Sequence, residues 1–270
     1  MKPQFEQLSI FDIVMEHDIP PAIELERICK KDTERVTPNN NRCPYKIPTV
    51  DEIIKRIDNA SYKVSKSKLI SDVIECGAIA ISNQIDFTKY DEREERYKQI
   101  INSYKPKERE LLAEIFRMIF ALLSSVVYDD GTFGDYLGEL FMKCNQGNKN
   151  TGQFFTPYHI SEFMAQITLM EQSVNINQDK IITICDPCCG SAGMILATMD
   201  VLKNEYKINY TMNSFVECAD IDIRCVHMAY LQLSLAGVPA IIKHMDSLTQ
   251  EVWDVWKTPA YIFQYIANTK

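Results

Sequence analysis

No apolar run in the 270-residue chain approaches the ~20 residues that span a bilayer, so a helical membrane protein is excluded. The opening residues, Met1-Lys2-Pro3-Gln4-Phe5-Glu6, lack a basic, apolar, small-residue order, so they do not read as a secretory signal. There is no internal repeat and no low-complexity tract, which removes solenoids and disordered scaffolds. Positive charge is short: the net charge is −8, which argues against a chain that coats nucleic acid through its overall charge. Local patches can still bind it, but the one basic cluster, Lys63, Lys66 and Lys68, reads as solvated surface. The nine cysteines form an odd, scattered set, which suits reduced thiols in a cytoplasm better than a disulfide framework.

What is present falls into three stretches. Residues 1–47 read as a flexible arm and linker, with Pro38, Asn39, Asn40, Asn41, Pro44 and Pro48 breaking any period near its end. Residues 48–150 have helical periodicity. Thr49 and Glu52 form a capping box ahead of Ile53, Ile54 and Ile57. Further helices are expected over 68–85, 91–103, 107–128 and 132–144. The fourth of these five, behind Pro106, is apolar around much of its circumference and belongs at the centre of a bundle. In residues 151–270 strands and helices alternate. Thr156 as N-cap and Pro157 begin a helix to Met170. A β-branched run, Ile181 to Cys185, ends in Asp186 and a turn, and a helix follows over 192–207. A strand over 213–219, a helix over 222–235 closed by Gly237, and a strand over 239–244 come next. This β-α-β-α-β order predicts a parallel sheet with right-handed crossovers. Residues 253–270 are ambiguous between strand and helix.

The turn Asp186-Pro187-Cys188-Cys189-Gly190-Ser191-Ala192-Gly193 lies at the carboxyl end of a parallel strand, where open α/β sheets bind ligands. Gly190 and Gly193 let the backbone bend and approach a ligand without a Cβ. A plain tight βα turn is the competing account. The cysteines Cys185, Cys188 and Cys189 contain a C-x-x-C, but Cys218 lies mid-strand and Cys225 on a helix, so no four-ligand zinc site is expected.

Thr151-Gly152-Gln153-Phe154-Phe155-Thr156-Pro157, followed by Asp186-Pro187-Cys188-Cys189-Gly190-Ser191 and then Ala219-Asp220-Ile221-Asp222, resembles the N6-adenine DNA methyltransferases. The resemblance is to the modification subunit of type I restriction systems in particular, and it covers roughly residues 130 to 260. It implies an α/β fold: an N-terminal helical bundle plus a truncated Rossmann-like domain with a mainly parallel sheet that binds S-adenosylmethionine. The ligand contacts implied are Gln153, Phe154, Thr156, Asp186, Cys189, Gly190, Ser191 and Gly193. Asp220 or Asp222 would take the ribose, and Asp246 the adenine. Core packing is an equal alternative for Phe154 and Phe155.

Two positions depart from the family pattern in the loop: Ala192 replaces a glycine, and Met194 an aromatic. The family's catalytic [DN]-P-P-[YF] is absent. Its nearest match is Thr258-Pro259-Ala260-Tyr261, in which Thr258, Pro259 and Tyr261 would take the catalytic places and Tyr261 could stack on a flipped base. DNA is the implied partner, with a specificity subunit or another protein at the C-terminal sheet edge unless the C-terminal segment covers that edge itself. A non-catalytic adaptor that binds S-adenosylmethionine is the alternative.

Gln7-Leu8-Ser9-Ile10-Phe11 also resembles the pentapeptide by which bacterial replication proteins dock on the sliding clamp. The same side chains could instead pack on the chain's own bundle.

Overall fold

The computed structural model describes residues 43, 46–60, 65–128, 131–145, 155–171, 176 and 180–268. Gln7 to Phe11, Gln153 and Phe154 lie outside the described residues.

The helical half opens with α1 (Val50–Asp58), where the Thr49 and Glu52 side chains cap each other's backbone N–H groups. It continues through α2 (Lys66–Ser82), α3 (Tyr90–Asn102), α4 (Pro106–Ser124) and α5 (Tyr136–Asn145). Two boundaries differ from expectation for local reasons. Helix α4 gives way to a 3-10 turn at Ser125, where Ser124 and Ser125 donate back to the Phe120 and Leu122 carbonyls. Helix α5 begins four residues later than the periodicity predicts, because the Asp135 carboxylate accepts the Gly138 N–H and sets the first turn there.

The second half runs α6 (Tyr158–Glu171), β1 (Ile182–Asp186), α7 (Gly193–Asn204), a short α8 (Tyr210–Asn213) and β2 (Ser214–Asp220). It ends with α9 (Ile223–Leu235), β3 (Ala240–Asp246), β4 (Glu251–Lys257) and α10 (Pro259–Asn268). Helix α6 starts at Tyr158, one residue later than expected, since the Pro157 carbonyl accepts the first helical bonds, from Ile160 and Ser161. Gly237, at φ +69°, closes α9 in a left-handed turn that a side chain would resist.

Strands β1, β2 and β3 are parallel, and the sheet order is β1-β2-β3-β4. Strand β4 is antiparallel to β3. Only residues 247–250 connect the two, and a parallel pair needs a crossover of a dozen or more. The turn is tightened by Asp246, whose carboxylate accepts the Leu248 and Thr249 N–H groups. Strand β1 is the opposite edge, with Thr183 and Cys185 exposed.

One core runs through both halves. Helix α2 is packed closely between α4 and α9: a Cβ on Gly77 would come within 2.4 Å of the Phe116 ring of α4 and 3.3 Å of Leu231 of α9. A second tie is Arg93 of α3, whose buried guanidinium lies 3.8 Å from the Trp256 ring of β4 and donates to the Val255 carbonyl and to Ser82. Beneath that indole sits His227 of α9, edge-on at 5.0 Å. Burial lowers the His227 pKa from 6.5 to about 4, so the ring is neutral in the fold. An unfolded chain would protonate it near pH 6.5. The stability from this group is therefore complete above about pH 6.5 and lost as pH falls toward about 4, by roughly 3 kcal/mol at most. Denaturant melts across that window should show a steeper acid loss in the native protein than in His227→Gln.

Candidate cofactor site

The carboxyl ends of β1, β2 and β3 bring Asp186, Asp220 and Asp246 to one end of the sheet. Asp186 pairs in register with Cys218, and Asp220 with His244, so each strand reaches two residues beyond its neighbour. Burial, reinforced by repulsion from Asp220, raises the Asp186 pKa, while a hydrogen bond from the Cys188 N–H (3.1 Å) opposes the rise. Asp220 accepts from Gly190 N–H (2.9 Å) with one oxygen and from Asp222 N–H (2.8 Å) with the other. It thus holds the loop against β2 and keeps lone pairs for a ligand.

Asp222 has a different task. It caps α9 through the Arg224 N–H (2.9 Å) and pairs with the Arg224 guanidinium at 2.6 Å. Of the two acids expected at the ribose, Asp220 is the one at the strand end. Asp246 uses one oxygen on its own turn, and its other oxygen takes no hydrogen bond among the described residues. Ile221 and Leu248, 62% and 95% exposed, follow Asp220 and Asp246 and offer apolar surface to a flat ring. Composition did not single out either of them.

The loop itself is tightly held. Gly190 has φ +55°, and a Cβ there would come within 3.0 Å of the Phe155 ring. Ala192 adopts φ +74° despite its methyl group, a left-handed backbone that costs about 1–2 kcal/mol. The Cys189 N–H bonds the Ala219 carbonyl (2.9 Å), and its buried thiol lies against Cys218, which together with burial pushes the thiol pKa up. Among the described residues no group of three or more His, Cys, Asp or Glu side chains could hold a metal. Thr156 is exposed at the entrance to α6.

The residue that secures this geometry is Asp135, which no motif indicated. Its buried carboxylate accepts from the Ser191 hydroxyl (2.6 Å), the Gln232 amide (3.0 Å) and the Gly138 N–H (3.0 Å). Gln232 in turn donates to the Ser191 carbonyl (2.6 Å) and accepts from the Leu137 N–H (3.0 Å). Gly193 packs on the same carboxylate, which lies 2.9 Å from where a Cβ would stand. Burial raises the Asp135 pKa, with the three hydrogen bonds opposing it. The start of α5, the glycine loop and α9 thus share one buried polar network.

Thr258, Pro259 and Tyr261 are not brought to this end. Because β4 runs antiparallel, Lys257 pairs with Ile241 at the start of β3, and the tetrapeptide lies at the opposite end of the sheet from Asp246. Thr258 is fully buried. Its hydroxyl donates to the Val238 carbonyl (2.8 Å) and accepts from the Ala240 N–H (2.9 Å). Tyr261 packs on Phe215 at 5.8 Å. Thr258→Val should therefore lower stability by about 1–3 kcal/mol, the cost of unpaired buried partners, and leave cofactor affinity within twofold. Melting and ligand titration of the same sample check both.

A family model for N-6 DNA methylases matches residues 129–268, more than half of the chain. No curated protein sequence matches. Among solved structures, the chain resembles a type I restriction-modification methyltransferase subunit from Streptococcus thermophilus. The identity is 17% and the TM-score 0.41, over 91% of this chain and 52% of that one. It also resembles a presumed class I S-adenosylmethionine-dependent methyltransferase from Listeria monocytogenes. There the identity is 17% and the TM-score 0.39, over 70% of this chain and 56% of that one. The chain thus spans a little over half the length of either structure.

Proposed function

The chain belongs to the N-6 DNA methylase family, and from that premise we propose that it holds S-adenosylmethionine at the β1–α7 loop and serves adenine-N6 methylation of DNA. The observation that carries this is the convergence of Asp186, Asp220 and Asp246 around a loop with a left-handed glycine. Three carboxylates suit a ligand with a sulfonium, an ammonium, two ribose hydroxyls and an amino group, all of which are cationic centres or donors. Asp220 would accept the ribose hydroxyls and Asp246 the amino group, while the loop and Asp186 would hold the amino-acid end. The bound cofactor supplies an electrophilic methyl group. The protein's part is to fix its position and shield it from water.

The second half of the chemistry, an acceptor for the target amino group, has no candidate beside the loop among the described residues, since Thr258 is committed to β3. We infer that a partner supplies it, so the chain alone is a cofactor-binding adaptor. Among the described residues β1 pairs on one side alone, and α6 exposes Ile160, Phe163, Met164, Ile167 and Met170, which supports a partner there. A DNA-directed role and an odd, scattered set of nine cysteines suit the cytoplasm.

The test is transfer of tritiated methyl from the cofactor to duplex DNA. The isolated chain should bind the cofactor yet label adenine at least a hundredfold more slowly than a complete methylase, the cost of a missing oriented acceptor being about 10²–10³. Rapid labelling that Tyr261→Ala abolishes would restore the plain enzyme and overturn the partner account.

A further inference from the structure

Helix α6 carries its large apolar side chains on the outside. Ser161, Ala165 and Leu169 form its buried face and pack toward α7. Beside them Tyr158 donates to Asp200 (3.3 Å) and Gln166 to Glu205 (2.6 Å). On the opposite face Ile160, Phe163, Met164, Ile167 and Met170 are 39–66% exposed. A surface helix ordinarily turns its larger apolar residues to the core. Here two small residues and one leucine seat the helix, and the large ones stand outward in the i, i+3, i+4, i+7 spacing of a seam that receives another helix.

Composition narrows the occupant. The outer stripe holds no charged residue, and no lysine or arginine stands anywhere on α6. A membrane surface or a nucleic acid is met through basic residues beside the apolar ones, so neither fits. The apolar face of a protein helix does. The spacing then singles out one such helix. Ile160 and Met170 stand five residues either side of Ala165, and Phe163 and Ile167 stand two either side. Laid antiparallel on itself, the stripe matches Ile160 with Met170 and Phe163 with Ile167 in every layer, the self-complementarity that a twofold interface requires. The same pairing opposes the two helix dipoles and brings the His159 end of one helix beside the Glu171 end of the other. A parallel pairing would set like ends together.

We propose that α6 is a homodimerisation surface, on which a second copy of this chain lays its own α6 antiparallel about a twofold axis. This rests on the partner reading above, since it names the occupant of one of the two surfaces offered there. It leaves the edge of β1 to the protein that supplies the acceptor. Helix α6 leads out of Phe155, whose ring backs Gly190, so the twofold axis sets two cofactor loops at a fixed separation. A helix of 14 residues is about 21 Å long. One such pair buries less than the ~800 Å² per partner of a standard interface, so the dimer forms in the micromolar range rather than the nanomolar.

Sedimentation equilibrium of the full-length protein, from low micromolar to submillimolar concentration, tests this. The native protein should pass from monomer to dimer. Phe163→Glu and Ile167→Lys should each weaken association by about tenfold or more, because each sets an unpaired charge in an apolar layer. Both side chains are exposed, so the melting temperature of the dilute monomer should not change. A one-to-one mixture of the two variants should recover the dimer, since the new carboxylate of one meets the new ammonium of the other across one layer. Neither a different protein on this face nor the chain's own residues 1–42 would give that rescue. Native protein that stays monomeric at submillimolar concentration, a dimer that persists in Phe163→Glu, or a mixture that stays monomeric overturns the proposal. S-adenosylmethionine should bind the native protein and both variants equally. Loss of binding in all three would count against the cofactor site and leave the sedimentation result standing.

Discussion

Asp135→Ala should abolish measurable cofactor binding, lowering affinity about a hundredfold or more, and destabilise the protein by about 3–5 kcal/mol. The substitution removes one acceptor from three buried donors: the Ser191 hydroxyl, the Gln232 amide and the Gly138 N–H. Each left unpaired costs about 1–3 kcal/mol, partly recovered if water enters. The damage is directed at the loop, because Ser191 loses its anchor and Ala192 must still hold a left-handed backbone. Asp135→Asn should be far milder. Its amide oxygen can keep Gly138 and Gln232, and its NH₂ can donate to Ser191 once that hydroxyl turns round. Thermal unfolding and cofactor titration of the two variants separate loop positioning from simple loss of fold. Affinity within twofold of native in Asp135→Ala would remove Asp135 from the account.

The second large effect is at β2. Asp220→Ala should weaken binding of S-adenosylmethionine by tenfold to a hundredfold, the worth of about 1.5–3 kcal/mol for hydrogen bonds to a charged group. It loses both the ligand hydroxyls and the Gly190 N–H that positions the loop. Asp222→Ala should behave differently, costing about 1 kcal/mol of stability as a lost helix cap, with affinity changed less than threefold. Paired titrations of the two variants check the assignment, and equal losses of affinity would contradict it.

How far the site was legible depends on whether its contacts are local. The run from Ile181 to Gly193 announced a strand, a turn and a helix, because each step depends on near neighbours. Asp220 and Asp222 were equally visible as acids after a strand. Only three-dimensional geometry separates them, since a cap bond to Arg224 N–H looks the same in sequence as a free carboxylate. Asp135 was not legible as the loop's anchor, because Ser191 and Gln232 lie 56 and 97 positions away.

The direction of β4 follows from the chain spacing alone. Four residues between Asp246 and Glu251 cannot make a parallel crossover, and that alone carries Thr258 away from the loop. A motif match locates residue types along the chain and says nothing about which end of the sheet they reach.

The most direct measurement is calorimetric titration of S-adenosylmethionine into the full-length protein, with Asp220→Ala and Thr258→Val run beside it. One binding site is expected, weakened at least tenfold in Asp220→Ala and unchanged within twofold in Thr258→Val. No heat at millimolar ligand, or binding that survives Asp220→Ala and is lost in Thr258→Val, would contradict a cofactor site at the carboxyl end of the sheet.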